Sequence, residues 1–224
     1  MTNILVDSSD IEEIKKIADY YPISGITTNP SILAKENSDL QKKMYEIKKF
    51  VNSHYEIHVQ TTEKIAEKIL SEAIKLHKFF GGKFFIKIPI SKEGLKAVSL
   101  CKKEGIGVTV TSIFTSSQVF AAAKAGADYV APYVNRMANM GMESIKVLAD
   151  MQKILSSYNT KILAASFKNI EQFTDLLVIG VDTVTVSTDL LEQSIWHPYT
   201  DKSISDFEVD WNKTFGNLRV GDFI

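Results

Sequence analysis

The chain holds a single cysteine, Cys101, and so cannot close an internal disulfide. It holds four histidines, of which only His54 and His58 are close in sequence. That pair is a poor ligand set, so neither a metal nor another cofactor is expected. Charge of one sign is also missing: 26 basic and 27 acidic residues are mixed along 224 positions for a net charge of -1. Bulk electrostatics therefore favour neither a nucleic-acid nor a membrane partner. No apolar run approaches the roughly 18 to 20 residues needed to cross a bilayer. No Gly/Ser-rich or Pro-rich linker divides the sequence, and Met-Thr-Asn-Ile-Leu-Val-Asp lacks the basic start and long apolar core of a secretory signal. The expectation is a soluble, cytoplasmic protein forming one domain over residues 1–224.

What is present is an alternation. Eight times a β-branched or aromatic run precedes a helix-like stretch, and a polar residue stands at or just past nearly every run. This is the α/β layout of a (β/α)8 TIM barrel with its chemistry at one mouth. Residues 4–6 form a first strand ending at Asp7, and Ser9 with Glu12 reads as a capping box opening a helix with Ile11, Ile14 and Ala18 on one face. Residues 25–28 run into Asn29-Pro30-Ser31, where Asn suits an N-cap and Pro the first helical position. Residues 55–60 end at Gln60, and Ile65, Ile69, Ala73 and Leu76 share a face of the next helix.

In the fourth run, Phe84-Phe85-Ile86-Lys87-Ile88-Pro89, period-two alternation puts Phe85, Lys87 and Pro89 on one face. The fifth run, 106–111, aligns Thr109 with Thr111; the sixth, 128–131, leads into Pro132-Tyr133-Val134-Asn135-Arg136; the seventh, 161–165, delivers Ser166 and Lys168; the eighth is 183–186. By parity with Gln60, His58 also points inward, as a layer-filling residue. An extra C-terminal helix over about 203–215 is free to pack on the barrel or on a neighbouring subunit.

Lys87 is a lone cation inside apolar strand sequence, where an ammonium is poorly solvated, and it is the candidate nucleophile. A buried amine can attack a ketone to form a Schiff base, which draws electrons from a breaking carbon–carbon bond and holds the carbanion as an enamine. Asp7 is expected to shuttle protons, directly or through water, with Tyr133 as a second candidate. Gln60 and Thr111 complete the catalytic set, while Thr28, Asn29 and Thr109 would hold hydroxyls. Arg136 and Lys168 supply positive charge near the usual phosphate corner of such barrels, with Ser166 as a neutral donor. The plainer alternatives are helix capping for Asp7 and Asn29, and polar plugs in the upper barrel for Gln60, Thr109 and Thr111.

Val6-Asp7-Ser8, Gly25-Ile26-Thr27-Thr28-Asn29-Pro30-Ser31, Ile86-Lys87-Ile88-Pro89, the stretch from Ala125 through Pro132-Tyr133-Val134-Asn135-Arg136, and Ala164-Ala165-Ser166-Phe167-Lys168 occur in that order across nearly the whole chain. In these segments the sequence resembles short-form transaldolases, and among them the fructose 6-phosphate aldolase branch. The resemblance implies a class I aldolase joining dihydroxyacetone to glyceraldehyde 3-phosphate, or cleaving the product. Its alternative is a transaldolase of the pentose phosphate pathway that passes the same three-carbon unit between sugar phosphates, such as sedoheptulose 7-phosphate and glyceraldehyde 3-phosphate. It further implies Lys87 as the Schiff-base lysine, Asp7 as a proton-transfer residue, and Arg136, Ser166 and Lys168 as phosphate contacts. Transaldolases proper usually carry Glu at Gln60, Asn at Thr109, Phe at Tyr133 and Arg at Lys168. Gln60, Tyr133 and Lys168 match the aldolase branch, whereas Thr109 and the following residues to Phe114 match neither. Because Gln cannot act as a base, Tyr133 would carry more of the proton work. The family also implies ring-shaped homo-oligomers, pentamers or decamers, in which the C-terminal segment packs on a neighbour.

Overall fold

Eight short parallel strands each pair with their sequence neighbours, and the last returns to the first, with Ile4 opposite Val184, so the sheet closes without an edge. The structure, a computed structural model, describes residues 2–35, 39–52 and 54–224. The elements are β1 (Asn3–Asp7), α1 (Ile11–Ala18), β2 (Gly25–Thr27), α2 (Pro30–Lys35), α3 (Leu40–Val51), β3 (Glu56–Gln60), α4 (Ala66–Phe80), β4 (Phe84–Pro89), α5 (Lys92–Lys103) and β5 (Gly107–Ile113). They continue as α6 (Ser116–Lys124), β6 (Tyr129–Pro132), α7 (Val134–Asn139), α8 (Ser144–Leu155), β7 (Lys161–Ala164), α9 (Ile170–Ile179), β8 (Thr183–Val186), α10 (Thr188–Ile195) and α11 (Pro198–Phe215). The fold is thus a (β/α)8 barrel with an additional C-terminal helix.

Strand alternation divides the core in two. Outward residues such as Val6, Ile26, Ile86, Ile88, Val110 and Val130 pack with the helix-borne Ile14, Ile69, Val98, Leu148 and Leu176 in one continuous apolar layer. Inward residues Leu5, Tyr129, Ala131 and Leu163, with Phe85 against them, form a separate cluster on the barrel axis. Gly107 makes room for that cluster, since a Cβ there would lie 2.6 Å from the Phe85 ring. The alternation expected for β4 holds: Phe84, Ile86 and Ile88 join the outer layer, while Phe85 joins the inner one.

Several local expectations need correction. Asp10, not Ser9, caps α1, and its carboxylate accepts from the Glu12 and Glu13 amides; Ser9 is buried one residue too early. Ile17 rather than Ala18 completes the buried face of that helix. Ile65 is 49% exposed and Ala66 takes its buried place, because α4 starts one residue later than the apolar spacing implied. The last helix begins at Pro198 instead of near 203, where His197 caps it and proline occupies its first turn. Asn29 does cap α2, accepting from the Ile32 amide at 3.0 Å.

Candidate functional site

A cavity of about 640 Å³ opens at the C-terminal ends of the strands, within the size range of small-ligand sites. Asp7, Asn29, Gln60, Lys87, Tyr133, Arg136, Ser166 and Lys168 line it, as expected from their strand-end positions. The side chains of Thr28, Thr109 and Thr111 are buried and do not reach the wall. Ser31, Lys35, Ser112, Asn135, Asn139 and Thr185 line it without having been anticipated.

Lys87 is 5% exposed and lies between Gln60 of β3 and Thr109 of β5 in the sheet register. Its Nζ donates to the Thr28 carbonyl at 3.1 Å, and among the described residues no carboxylate pairs with it. Thr28 thus contributes its backbone. A lysine nitrogen tethered by one carbonyl at the floor of a cavity can reach a bound carbonyl carbon when its lone pair is free.

Asp7 closes β1, and its Oδ1 accepts from Thr27 Oγ1 at 2.6 Å. Thr27 Oγ1 also lies 2.6 Å from Thr185 Oγ1. A hydroxyl has one proton to give, so with Thr27 donating to the carboxylate, Thr185 donates to Thr27. This two-hydroxyl chain fixes the carboxylate and leaves Oδ2 for substrate or water. Thr27 is the register partner of Asp7 across β1 and β2, a pairing that only the folded sheet shows.

Across the mouth, Tyr133 Oη accepts from Thr111 Oγ1 at 3.1 Å and from Ser112 Oγ at 3.5 Å. With its lone pairs engaged, the phenol can direct its own proton into the cavity. Phe114 packs edge-on against the Tyr133 ring at 5.7 Å, and the Arg136 guanidinium sits 4.7 Å from its centroid. Beside it, the Asn135 amide donates to the Ser166 carbonyl at 2.8 Å. Gln172 holds both sides of this corner: its Nε2 donates to Asn135 Oδ1 and its Oε1 accepts from the Lys168 amide. Among the described residues neither Arg136 nor Lys168 is ion-paired to a carboxylate. Two uncompensated cations with Ser166, Asn135 and Asn139 suit a phosphate-sized anion.

Beneath Lys87 a polar layer crosses the barrel. His58 is fully buried, stacks on Phe85 at 4.6 Å, meets Thr109 Oγ1 through Nδ1 at 2.8 Å and faces Glu56 through Nε2 at 3.4 Å. Burial holds the His58 imidazole below its ordinary range, opposed by Glu56 and reinforced by the charge of Lys87. Burial pushes Glu56 up, but hydrogen bonds from His58 and Tyr129, with the nearby charge of Lys83, outweigh it and hold that carboxyl low. Glu56 is therefore an acceptor, so Nε2 carries the proton and Nδ1 accepts from Thr109.

A histidine whose folded pKa is depressed leaves stability intact above its unfolded value of 6.5 and erodes it as pH falls below that point. Glu56 adds a loss at lower pH, as its depressed pKa is approached. The thermal midpoint is expected to fall from pH 7.5 to pH 5.5, with a slope of up to about 1.4 kcal/mol per pH unit from His58. His58→Gln should flatten the profile over that interval; an equally steep profile in the variant would assign the loss elsewhere.

Cys101 is buried and its thiol is pushed up to about 11, chiefly by burial, so it offers no thiolate near neutral pH. Among the described residues no group of three or more His, Cys, Asp or Glu could hold a metal ion, and no helix is long and apolar enough to cross a membrane.

The family profile described as transaldolase/fructose-6-phosphate aldolase matches residues 4–219. A probable fructose-6-phosphate aldolase of Streptococcus pneumoniae (strain ATCC 700669 / Spain 23F-1) is 37% identical over 210 residues, covering 92% of this chain and 95% of that protein. Two solved structures share the fold. One, a cube-shaped porous cage designed by fusing symmetric oligomeric domains, has a TM-score of 0.64 at 11% identity, covering 96% of this chain and 78% of that one. The other, described as native KDPGal, has a TM-score of 0.59 at 14% identity, covering 86% of this chain and 88% of that one.

Proposed function

From the premise that this chain belongs to the transaldolase/fructose-6-phosphate aldolase family and is an enzyme of that kind, we propose that it is a class I aldolase acting on fructose 6-phosphate. Lys87 Nζ adds to the C2 carbonyl of the sugar, and loss of water from the carbinolamine gives an iminium. The C4 hydroxyl gives up its proton, the C3–C4 bond breaks, and its electron pair passes to the iminium nitrogen as an enamine. Glyceraldehyde 3-phosphate leaves; protonation at C3 and hydrolysis then return dihydroxyacetone and free Lys87. Asp7 serves the proton transfers around the nitrogen and, through a water, takes the C4 proton as the C3–C4 bond breaks; Tyr133 hydrogen-bonds the oxygen at C4 and then gives its own proton to the enamine carbon, regaining one from solvent. Gln60 and Asn29 hold hydroxyls, Thr111 orients the Tyr133 phenol, Thr109 supports the layer beneath Lys87, and Arg136, Ser166 and Lys168 take the phosphate.

The single observation that carries this reading is the buried amine of Lys87 on the floor of a cavity whose rim holds Arg136 and Lys168, neither ion-paired among the described residues. Transaldolase is the second reading, and Tyr133 favours the aldolase: its phenol, already accepting from Thr111, has a proton available to quench the enamine. Fructose 6-phosphate supplied with and without erythrose 4-phosphate tests the choice. Free dihydroxyacetone without acceptor supports the aldolase, whereas sedoheptulose 7-phosphate formed only with acceptor makes the enzyme a transaldolase.

The proposal extends to a cytoplasmic, ring-shaped homo-oligomer, a pentamer or decamer. It is supported by α11, which buries none of its residues and leaves Tyr199, Ile204, Phe207 and Val209 between 61 and 72% exposed. Deleting residues 198–224 is expected to reduce the assembly to smaller species in light scattering; an unchanged mass would detach α11 from assembly.

A further inference from the structure

Strand alternation makes Ser112 an outward residue, because Thr109 and Thr111 face the axis and Val108 and Val110 face the helices. The structure places it in the cavity instead. The cause is a bulge at the end of β5: the register with β6 shifts between Thr111 and Ile113, and Ile113 takes the outward position in the apolar layer. Ser112 is the extra residue, held at φ +61° in the left-handed region. Glycine would occupy that backbone without strain, so a serine is kept there at a conformational cost and with its hydroxyl at the mouth.

Its position relative to the other groups gives the hydroxyl a task. The Schiff-base candidate is on β4 and the two cations follow β6 and β7, so β5 lies between them in the closed strand order. A sugar phosphate joined to Lys87 and anchored at Arg136 and Lys168 has its intervening carbons over the end of β5. There Ser112 Oγ and Tyr133 Oη stand 3.5 Å apart, a spacing that suits oxygens on adjacent carbons. Tyr133 meets the oxygen of the carbon whose bond breaks, which leaves Ser112 facing the next carbon toward the phosphate.

We propose that Ser112 is a specificity-determining residue that hydrogen-bonds the hydroxyl next to the aldehyde carbon of the phosphorylated acceptor. The proposal rests on the aldolase reading above. A site built to bond a substrate hydroxyl rejects the analogue that lacks it, because the protein's own polar group is then left unpaired.

The test is aldol addition of dihydroxyacetone to two acceptors, glyceraldehyde 3-phosphate and 3-phosphonooxypropanal, which lacks only that hydroxyl. The unsubstituted enzyme is expected to favour the hydroxylated acceptor in kcat/KM by roughly tenfold or more. Ser112→Ala and Ser112→Gly should both bring the ratio close to one. Ser112→Gly should also melt at a higher temperature, since it relieves the backbone, so lost discrimination cannot be ascribed to poor folding. Retention of the ratio in both variants, or a ratio near one in the unsubstituted enzyme, overturns the assignment to Ser112 while leaving the aldolase reading intact. Failure of the unsubstituted enzyme to form product with either acceptor removes that reading and the Ser112 proposal together.

Discussion

Lys87→Met is expected to lower kcat by roughly 10⁴-fold or more, the scale seen when a covalent nucleophile is removed, while the barrel stays folded. Met is unbranched, close to lysine in length and adaptable in packing, so it can fill a site that is 5% exposed. It removes a buried charge that has no ionic partner among the described residues, which costs the fold little. Among the described residues, the only side-chain hydrogen bond lost is that to the Thr28 carbonyl, about 1 kcal/mol by usual magnitudes. Steady-state turnover and a thermal melt, read together, check the point. A variant that melts normally yet keeps more than a few per cent of activity would mean another group forms the covalent intermediate.

Asp7→Asn is expected to lower kcat by about 10² to 10⁴, the usual range for loss of a proton-transferring group. The substitution conserves shape, and the amide oxygen can still accept from Thr27 Oγ1, which bonds Asp7 at 2.6 Å. It removes the capacity to take up a proton. Because the lysine remains, the variant should still form a reducible adduct with substrate, more slowly but to a substantial final yield, while turnover falls. A loss of less than about tenfold would limit Asp7 to holding hydroxyls, and general acid–base work would pass to Tyr133.

The elements that carried the functional reading were legible for simple reasons. A single charge in an apolar strand has to face the axis or the helices, and the parity of Phe85 and Lys87 against Ile86 and Ile88 settles which. What escaped was set by closure and local irregularity. In the hydroxyl chain from Thr185 through Thr27 to Asp7, Thr185 and Thr27 are 158 positions apart, and they meet only because β8 returns to pair with β1. Thr109 and Thr111 share a face, as alternation requires, yet they differ in depth: Thr109 reaches His58 below the cavity floor and Thr111 reaches Tyr133 near its rim. Depth along a tilted strand has no sequence period. The bulge that turns Ser112 inward likewise reverses the parity that works elsewhere. Asn139 enters from the last turn of α7, away from any strand end.

The most direct measurement is to add dihydroxyacetone to the enzyme, reduce with borohydride and locate the modified residue by peptide mass spectrometry. A three-carbon secondary amine on the peptide carrying Lys87 is the result expected of a Schiff-base aldolase. The same adduct on a different lysine, or no adduct in an enzyme that turns over, would contradict it.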